Sequence, residues 1–228
     1  MLKLREDRFD PVDAAWRYRS SPQDDGAHRT AGPPLSMSGI SPHAEIETED
    51  GMIAAKDIKI GQRVMTLENG LQPVLWAGRG RQTPDGWGKD VVRIRQGALG
   101  GDASARQLFL APGHLVLVRH NLNDLLFGAG DVLCRAQDLA HLDGVDITSR
   151  ESVNWCHFLF STHEIIKAED FWVETLCPDM RVIQASDRDA AQDILQAVPN
   201  LVFEAALASY ANSHLTLNAS ESGLLAFS

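Results

Sequence analysis

The sequence predicts a mainly β protein, an all-β body followed by short C-terminal helices. From about Ile40 to Gln184 the chain runs in short apolar stretches broken at close, regular intervals by turn residues, the texture of strands and hairpins and not of alternating strands and helices. After Ser186 the apolar residues change to helical spacing, with Ala190, Ala191, Ile194, Leu195 and Ala197 on one face. Between these regions and the N-terminus lies a stretch with neither pattern.

Taken in order, residues 1–37 are polar and turn-rich, through Ser20, Ser21, Pro22, Asp24, Asp25 and Gly26 and then Gly32, Pro33 and Pro34. Such a segment buries too little apolar surface to offset its ordering entropy and reads as a flexible arm, with Phe9, Trp16 and Tyr18 as anchors for part of it. Residues 38–184 form the β body. Its expected strands are Ala44–Thr48, Arg63–Leu67, Pro73–Trp76, Asp90–Arg95, Gln107–Leu110, His114–Arg119, Val132–Arg135, Ser152–Phe160, Glu164–Ala168 and Arg181–Gln184. Asp50-Gly51, Asn69-Gly70, Pro84-Asp85-Gly86, Gly100-Gly101, Pro112-Gly113 and Asp143-Gly144 mark turns between them. Pro73 lacks an N–H for a ladder, which places its run at a sheet edge or starts it one residue later. Residues 185–228 read as a helical cap: a helix from Asp187 to Ala197 with Ser186 as N-cap, an interruption at Pro199, and a second short helix from Leu201 to Tyr210.

The 228 residues carry 31 acidic and 21 basic side chains, a formal net charge of −10. Phosphate binding needs a basic field, so the balance argues against nucleic acid and anionic membranes as partners. The 3 cysteines, Cys134, Cys156 and Cys177, show no C-x-x-C spacing, which argues against a disulfide framework or a thiolate zinc site. No apolar run reaches the ~20 residues of a membrane span, and the opening MLKLREDRFDPVDAAW has no signal-peptide core. The expected location is cytoplasmic, or exported without a cleavable N-terminal signal.

The richest stretch is Gly39-Ile40-Ser41-Pro42-His43-Ala44-Glu45-Ile46-Glu47-Thr48-Glu49-Asp50-Gly51, followed by Ile58-Lys59-Ile60-Gly61-Gln62-Arg63-Val64-Met65-Thr66-Leu67-Glu68-Asn69-Gly70. Four further phrases follow in order: Gln72-Pro73-Val74-Leu75-Trp76, Val92-Arg93-Ile94-Arg95 with Gly97-Ala98-Leu99-Gly100, Leu110-Ala111-Pro112-Gly113-His114-Leu115-Val116-Leu117-Val118, and His163-Glu164-Ile165-Ile166. Together they resemble the Hint domain, the horseshoe- or disc-shaped fold shared by Hedgehog autoprocessing domains and inteins, in its bacterial subgroup. The resemblance spans about residues 38 to 178.

That resemblance implies an acyl shift. In the family a cysteine or serine at the head of the domain attacks the carbonyl before it, and the histidine of a T-x-x-H phrase donates to the departing amide nitrogen. Such chemistry needs a nucleophile beside the bond and an acid or base within hydrogen-bond reach. Here the nucleophile position falls on Gly39 and the threonine position on Ala111, while the histidine is kept as His114. Ser38 and Ser41 flank the gap as substitute nucleophiles, and His163 joins the candidate set. On position alone His114 reads first as a strand-start histidine satisfied by backbone groups and His163 as a half-exposed histidine orienting a loop; the resemblance is what places His114 equally in the former active-site cleft.

Other constellations give less. His43, His114 and His163 would suit a catalytic zinc with one open position, but their spacing does not bring them together, and neither metal nor cofactor is expected. Alternating Glu45, Glu47 and Glu49 fit one solvated strand face, and Asp187, Asp189 and Asp193 the start and outer face of a helix. No G-x-S-x-G elbow surrounds Ser38, Ser41 or Ser161. Splicing would need His-Asn at the end, whereas Asn218 follows Leu217. Two expectations result: a catalytically degenerate Hint-type protein acting as a structural or interaction module toward another protein, or a self-cleaving domain performing an N-to-O acyl shift near Ser38-Gly39.

Overall fold

The computed structural model describes residues 38–81, 90–100, 106–150, 153–211 and 213–226. The expected arm at residues 1–37, the turn at Pro84-Asp85-Gly86, Gly101 and the strand start at Ser152 lie outside them. In chain order the elements are β1 (Glu45–Thr48), β2 (Gly51–Ala54), β3 (Arg63–Thr66), β4 (Gly70–Pro73), β5 (Trp76–Arg81), β6 (Asp90–Ile94), β7 (Leu108–Leu110), β8 (Leu115–Arg119), α1 (Asn123–Phe127), β9 (Asp131–Arg135), β10 (Val145–Ser149), β11 (Asn154–Leu159), β12 (Ile165–Ala168), β13 (Phe171–Glu174), α2 (Met180–Ser186), α3 (Arg188–Ala197), α4 (Glu204–Tyr210), β14 (Leu215–Thr216) and α5 (Ala219–Ser222). The body is mainly β.

The largest sheet runs β14-β9-β8-β13-β12-β1-β3-β4, with β2 paired on β1. Turn chemistry sets its hairpins. Asp50-Gly51 and Asn69-Gly70 place glycine at positive φ, 96° and 63°, between β1 and β2 and between β3 and β4. On β1, Ile46 and Thr48 are buried while Glu45 and Glu47 face outward to Arg106 and Lys167, so the acidic alternation is a solvated face. Pro73 ends β4, which is the sheet's last strand, and Trp76 opens the separate strand β5. The single strand expected over Pro73–Trp76 is thus split, because the proline terminates the ladder it was expected to open.

Two smaller sheets, β10-β6-β7 and β11-β5, complete the body. Residues 38–41 join them. Ile40 bridges Leu110 of β7 on one side and Cys156 of β11 on the other. Its N–H donates to the Cys156 carbonyl at 3.1 Å and its carbonyl accepts from the Cys156 N–H at 2.8 Å. Ser41 N–H donates to the Phe109 carbonyl at 3.0 Å, and Ala111 N–H donates to the Gly39 carbonyl at 3.0 Å. The head of the domain is therefore a buried strand held on both edges, with Ile40 1% exposed in the main core beside Leu110, Phe158 and Val92.

At the C-terminal end, α2, α3 and α4 bury Met180, Ile183, Ala191, Ile194 and Tyr210 against Trp76, Leu159 and Leu176 of the β body. Arg181–Gln184, expected as a strand, lies inside α2. Asp179 caps that helix through the Arg181 and Val182 N–H groups, and this cap outweighs the strand propensity of Val182 and Ile183. Asp187, not Ser186, caps α3 by accepting the Ala190 N–H at 2.9 Å. The C-terminal region is not only helical, because β14 adds a parallel edge to β9. Asn218 is the N-cap of α5 in a reciprocal box with Glu221. No helix among the described residues is long and apolar enough to cross a membrane.

Truncating Ile40 removes the contacts that seal the 38–41 strand between two sheets. Ile40→Ala is expected to lower unfolding free energy by about 2–5 kcal/mol, the range for a fully buried large-to-small change. Urea denaturation against the unaltered chain checks this, and an unchanged midpoint would contradict a clamped strand.

Candidate functional site

His114 sits at the entry to β8, presented by the tight turn Ala111-Pro112-Gly113-His114. The turn closes through the His114 N–H onto the Ala111 carbonyl at 3.0 Å, and His114 in turn accepts the Ala136 N–H at 2.8 Å. This holds a 3% exposed imidazole against the 38–41 strand. Its Nδ1 lies 2.9 Å from Ser38 Oγ and 3.1 Å from the Gly39 nitrogen. An amide N–H only donates, so Nδ1 carries a lone pair, the Ser38 hydroxyl also donates to it, and the ring proton is on Nε2. That Nε2 is buried without a hydrogen-bond partner, as is Nε2 of His157.

Three further side chains close around His114. Glu174, the last residue of β13, accepts the Leu115 N–H at 2.9 Å on Oε1, and the same oxygen is 3.9 Å from His114 Nδ1. His163, just ahead of β12, donates from Nε2 to the Thr175 carbonyl at 3.1 Å and lies 3.5 Å from Glu174 Oε2. His163 is buried, and its ring stacks on Tyr210 of α4 at 6.3 Å between centroids, so it is not the half-exposed loop residue of the alternative reading. His157 on β11 is buried beside Gly39.

Burial keeps the His114 and His157 rings neutral. Burial pushes His114 down to about 4, with Glu174 pulling up and His163 pushing further down. Burial pushes His157 down to about 3, with His114 lowering it again and Glu174 opposing. For Glu174 burial works to raise the carboxyl. The hydrogen bond from His163 and the fields of His114 and His163 outweigh that, and the net shift is downward.

Of the sequence candidates, the structure brings together Ser38, His114 and His163. Ser41 stands apart: its Oγ accepts the His43 N–H at 3.4 Å on the wall of an open cavity of about 720 Å³. His43 is exposed on that same turn while His114 and His163 are buried, so the three imidazoles do not converge. Among the described residues no group of three or more potential ligands is placed to hold a metal ion. Sequence reasoning missed Glu174, His157 and Trp155. Glu174 ends the apolar run Phe171-Trp172-Val173, and His157 lies within Trp155-Cys156-His157-Phe158-Leu159. A charged or imidazole group set in an apolar strand was the available signal.

Gly39 has φ +130°. A Cβ placed there would lie 2.5 Å from Trp155 Cβ and 2.9 Å from His157 Cε1. The backbone conformation and the space both exclude an L side chain. Chemically, an unprotonated Nδ1 facing an amide N–H has no proton to give to that nitrogen, whereas it is placed to accept the proton of the Ser38 hydroxyl.

A pH dependence of stability follows. In the unfolded chain both imidazoles titrate near 6.5, and in the folded chain at about 4 and about 3. Below 6.5 the unfolded state takes up protons that the folded state refuses, so stability falls with pH from 6.5 toward 4. The slope is up to about 1.4 kcal/mol per pH unit for each ring. Chemical denaturation at several pH values should show this decline, and a flat profile over that window would contradict buried neutral rings.

A model of the Hint domain family matches residues 39–180. No curated protein matches the chain. Solved structures similar to it include a bacterial intein-like domain from Clostridium thermocellum, at 13% identity and a TM-score of 0.40 over 61% of this chain and 98% of that one. The MchDnaB-1 intein aligns at 8% identity and 0.39, over 60% of this chain and 99% of its own. The gp41-1 intein aligns at 9% and 0.35, over 60% and 97%. With the family model covering well over half its length, the chain belongs to the Hint domain family.

Proposed function

We propose that this protein is a Hint-fold module that does not perform the family's acyl shift and serves as a structural or interaction unit toward another protein. The observation that carries this reading is Gly39: no side chain is present at the attacking position, and Trp155 and His157 fill the volume one would need. The loss is therefore built into the surroundings as well as into the residue. His114 supports the same reading, since its Nδ1 accepts from the Gly39 amide instead of donating to it.

A second reading is favoured by one contact, the buried 2.9 Å pair of Ser38 Oγ and His114 Nδ1. In it Ser38 Oγ bonds to the carbonyl carbon of Met37 while its hydroxyl proton passes to His114 and from there to the Ser38 nitrogen, so that the Met37–Ser38 C–N bond breaks, the amide becomes an ester and the nitrogen leaves as an amine. The cut falls one residue before the family's bond.

Intact mass separates the two. Under the first reading the purified chain stays at 25.0 kDa through incubation with dithiothreitol or hydroxylamine. A fragment beginning at Ser38 overturns it in favour of the second, and one beginning at Gly39 overturns both. Gly39→Cys is expected to leave the chain uncut and to destabilise it, through overpacking and backbone strain each of the order of 1–3 kcal/mol. Cleavage restored by that single change would contradict the first reading.

A further inference from the structure

The open cavity beside Ser41, about 720 Å³, is of the size that holds small ligands, and no residue of the His114 cluster lines it. Its lining comes from separate stretches of chain. Ser41 ends the 38–41 strand, Arg95 lies just past β6, Arg106 just ahead of β7, Phe109 on β7, and Glu169 in the turn between β12 and β13. Half-buried Phe109 supplies an apolar surface, and the charges divide around it. Arg95 shares the Asp146 carboxylate with Arg93, at 3.0 Å and 2.8 Å, so two guanidiniums stand on one acid and a positive charge is left over. Arg106 is in the reverse position: it pairs with Glu45 at 2.9 Å and lies in the field of Glu169 as well, one cation against two acids. Arg95 and Glu169 do not pair with each other. The cavity is therefore bipolar, with surplus positive charge at Arg95 and surplus negative charge at Glu169.

Two local features leave groups on this lining for a ligand. Glu169 has φ +55° in a two-residue hairpin turn, where glycine or asparagine is the ordinary occupant. A carboxylate is kept there at a cost in strain; its Oε1 accepts the Glu45 N–H at 2.9 Å, and its Oε2 has no hydrogen-bond partner among the described residues. Ser41 is 8% exposed, its Oγ accepts the His43 N–H at 3.4 Å, and its hydroxyl proton has no acceptor among the described residues. A simple anion entering the cavity meets Glu169, and a simple cation meets Arg95. A molecule carrying both charges satisfies both. We infer that the cavity binds a small zwitterion, an amino acid or a short peptide with free ends, whose carboxylate is held by Arg95 and the Ser41 hydroxyl and whose ammonium is held by Glu169. Burial raises the Glu169 carboxyl above its ordinary range, and a ligand cation beside it offsets that penalty. Occupancy of this cavity and cleavage at Met37–Ser38 use different residues, so each reads out without the other.

NMR titration of the full chain near neutral pH tests the site with alanine, trialanine, N-acetyl-trialanine and trialanine amide. The free-ended probes are expected to give saturable shifts at the Ser41, Arg95 and Glu169 amides. Alanine that binds as tightly as trialanine marks a free amino acid as the ligand, and tighter trialanine marks a peptide; either outcome supports the site. Acetylation removes the ammonium and amidation removes the carboxylate, and each is expected to weaken binding about tenfold or more, the worth of one contact to a charged group. No saturable shift from either free-ended probe at millimolar concentration overturns the proposal, and so does a blocked peptide that binds as well as trialanine. Glu169→Gln keeps an acceptor for the Glu45 N–H and removes the charge. It should weaken trialanine about tenfold without weakening N-acetyl-trialanine, and an equal loss for both, or none for either, overturns the proposal. Should that variant not fold, the two blocked peptides on the unaltered chain decide.

Discussion

The hydrogen bond from the Gly39 amide to His114 Nδ1 is the interaction on which the head of this domain depends. It fixes the tautomer of a buried imidazole and thereby decides which way a proton can move at the junction. It also anchors a strand that stitches two small sheets into one layer through Ile40. Gly39 and His114 are 75 positions apart, so the contact forms only after β7, β8 and β11 have assembled around the strand. Glu174 then orients the start of β8 through Leu115, and His163 and Tyr210 tie that carboxylate to the C-terminal helices. The buried polar groups form one connected set, in which each member limits what its neighbour can do.

The absence of a side chain at Gly39 leaves no hole. Trp155, 1% exposed, and His157, both on β11, occupy the space a Cβ on Gly39 would need, and the positive φ turns the missing side-chain direction into them. A cavity of side-chain size would have cost stability in proportion to its volume, so a filled site is the more stable arrangement. The same close approach occurs at Gly78, where a Cβ would strike the Trp76 ring, one strand away on β5. Glycines on this layer are placed where an indole needs the room.

Much of the fold was legible in the sequence because its signals are local. Asn69-Gly70 and Asp50-Gly51 specify tight turns with little dependence on tertiary context, and the flanking strands β1 and β3 follow from them. Strands β10 and β13 were not legible: Val145–Ser149 carries few apolar residues, and Phe171–Glu174 ends on a carboxylate that only the fold makes sense of. Arg181–Gln184 misled because β-branched residues outweighed a cap two residues upstream of the run, at Asp179. For the site, His114 and Ser38 were visible from the order of phrases. Glu174 and His157 were not, since their part in the cluster comes from packing between strands distant in sequence and from burial, neither of which leaves a spacing pattern.

The protonation state of His114 is the most direct test of this structure's chemistry. Nitrogen-15 NMR of the histidine rings at neutral pH is expected to find its Nδ1 unprotonated and hydrogen-bonded to the Gly39 amide, with the proton on Nε2. A ring protonated at Nδ1, as either the other tautomer or the imidazolium, would contradict it, because that ring could give a proton to the Gly39 nitrogen and the junction would be armed instead of closed.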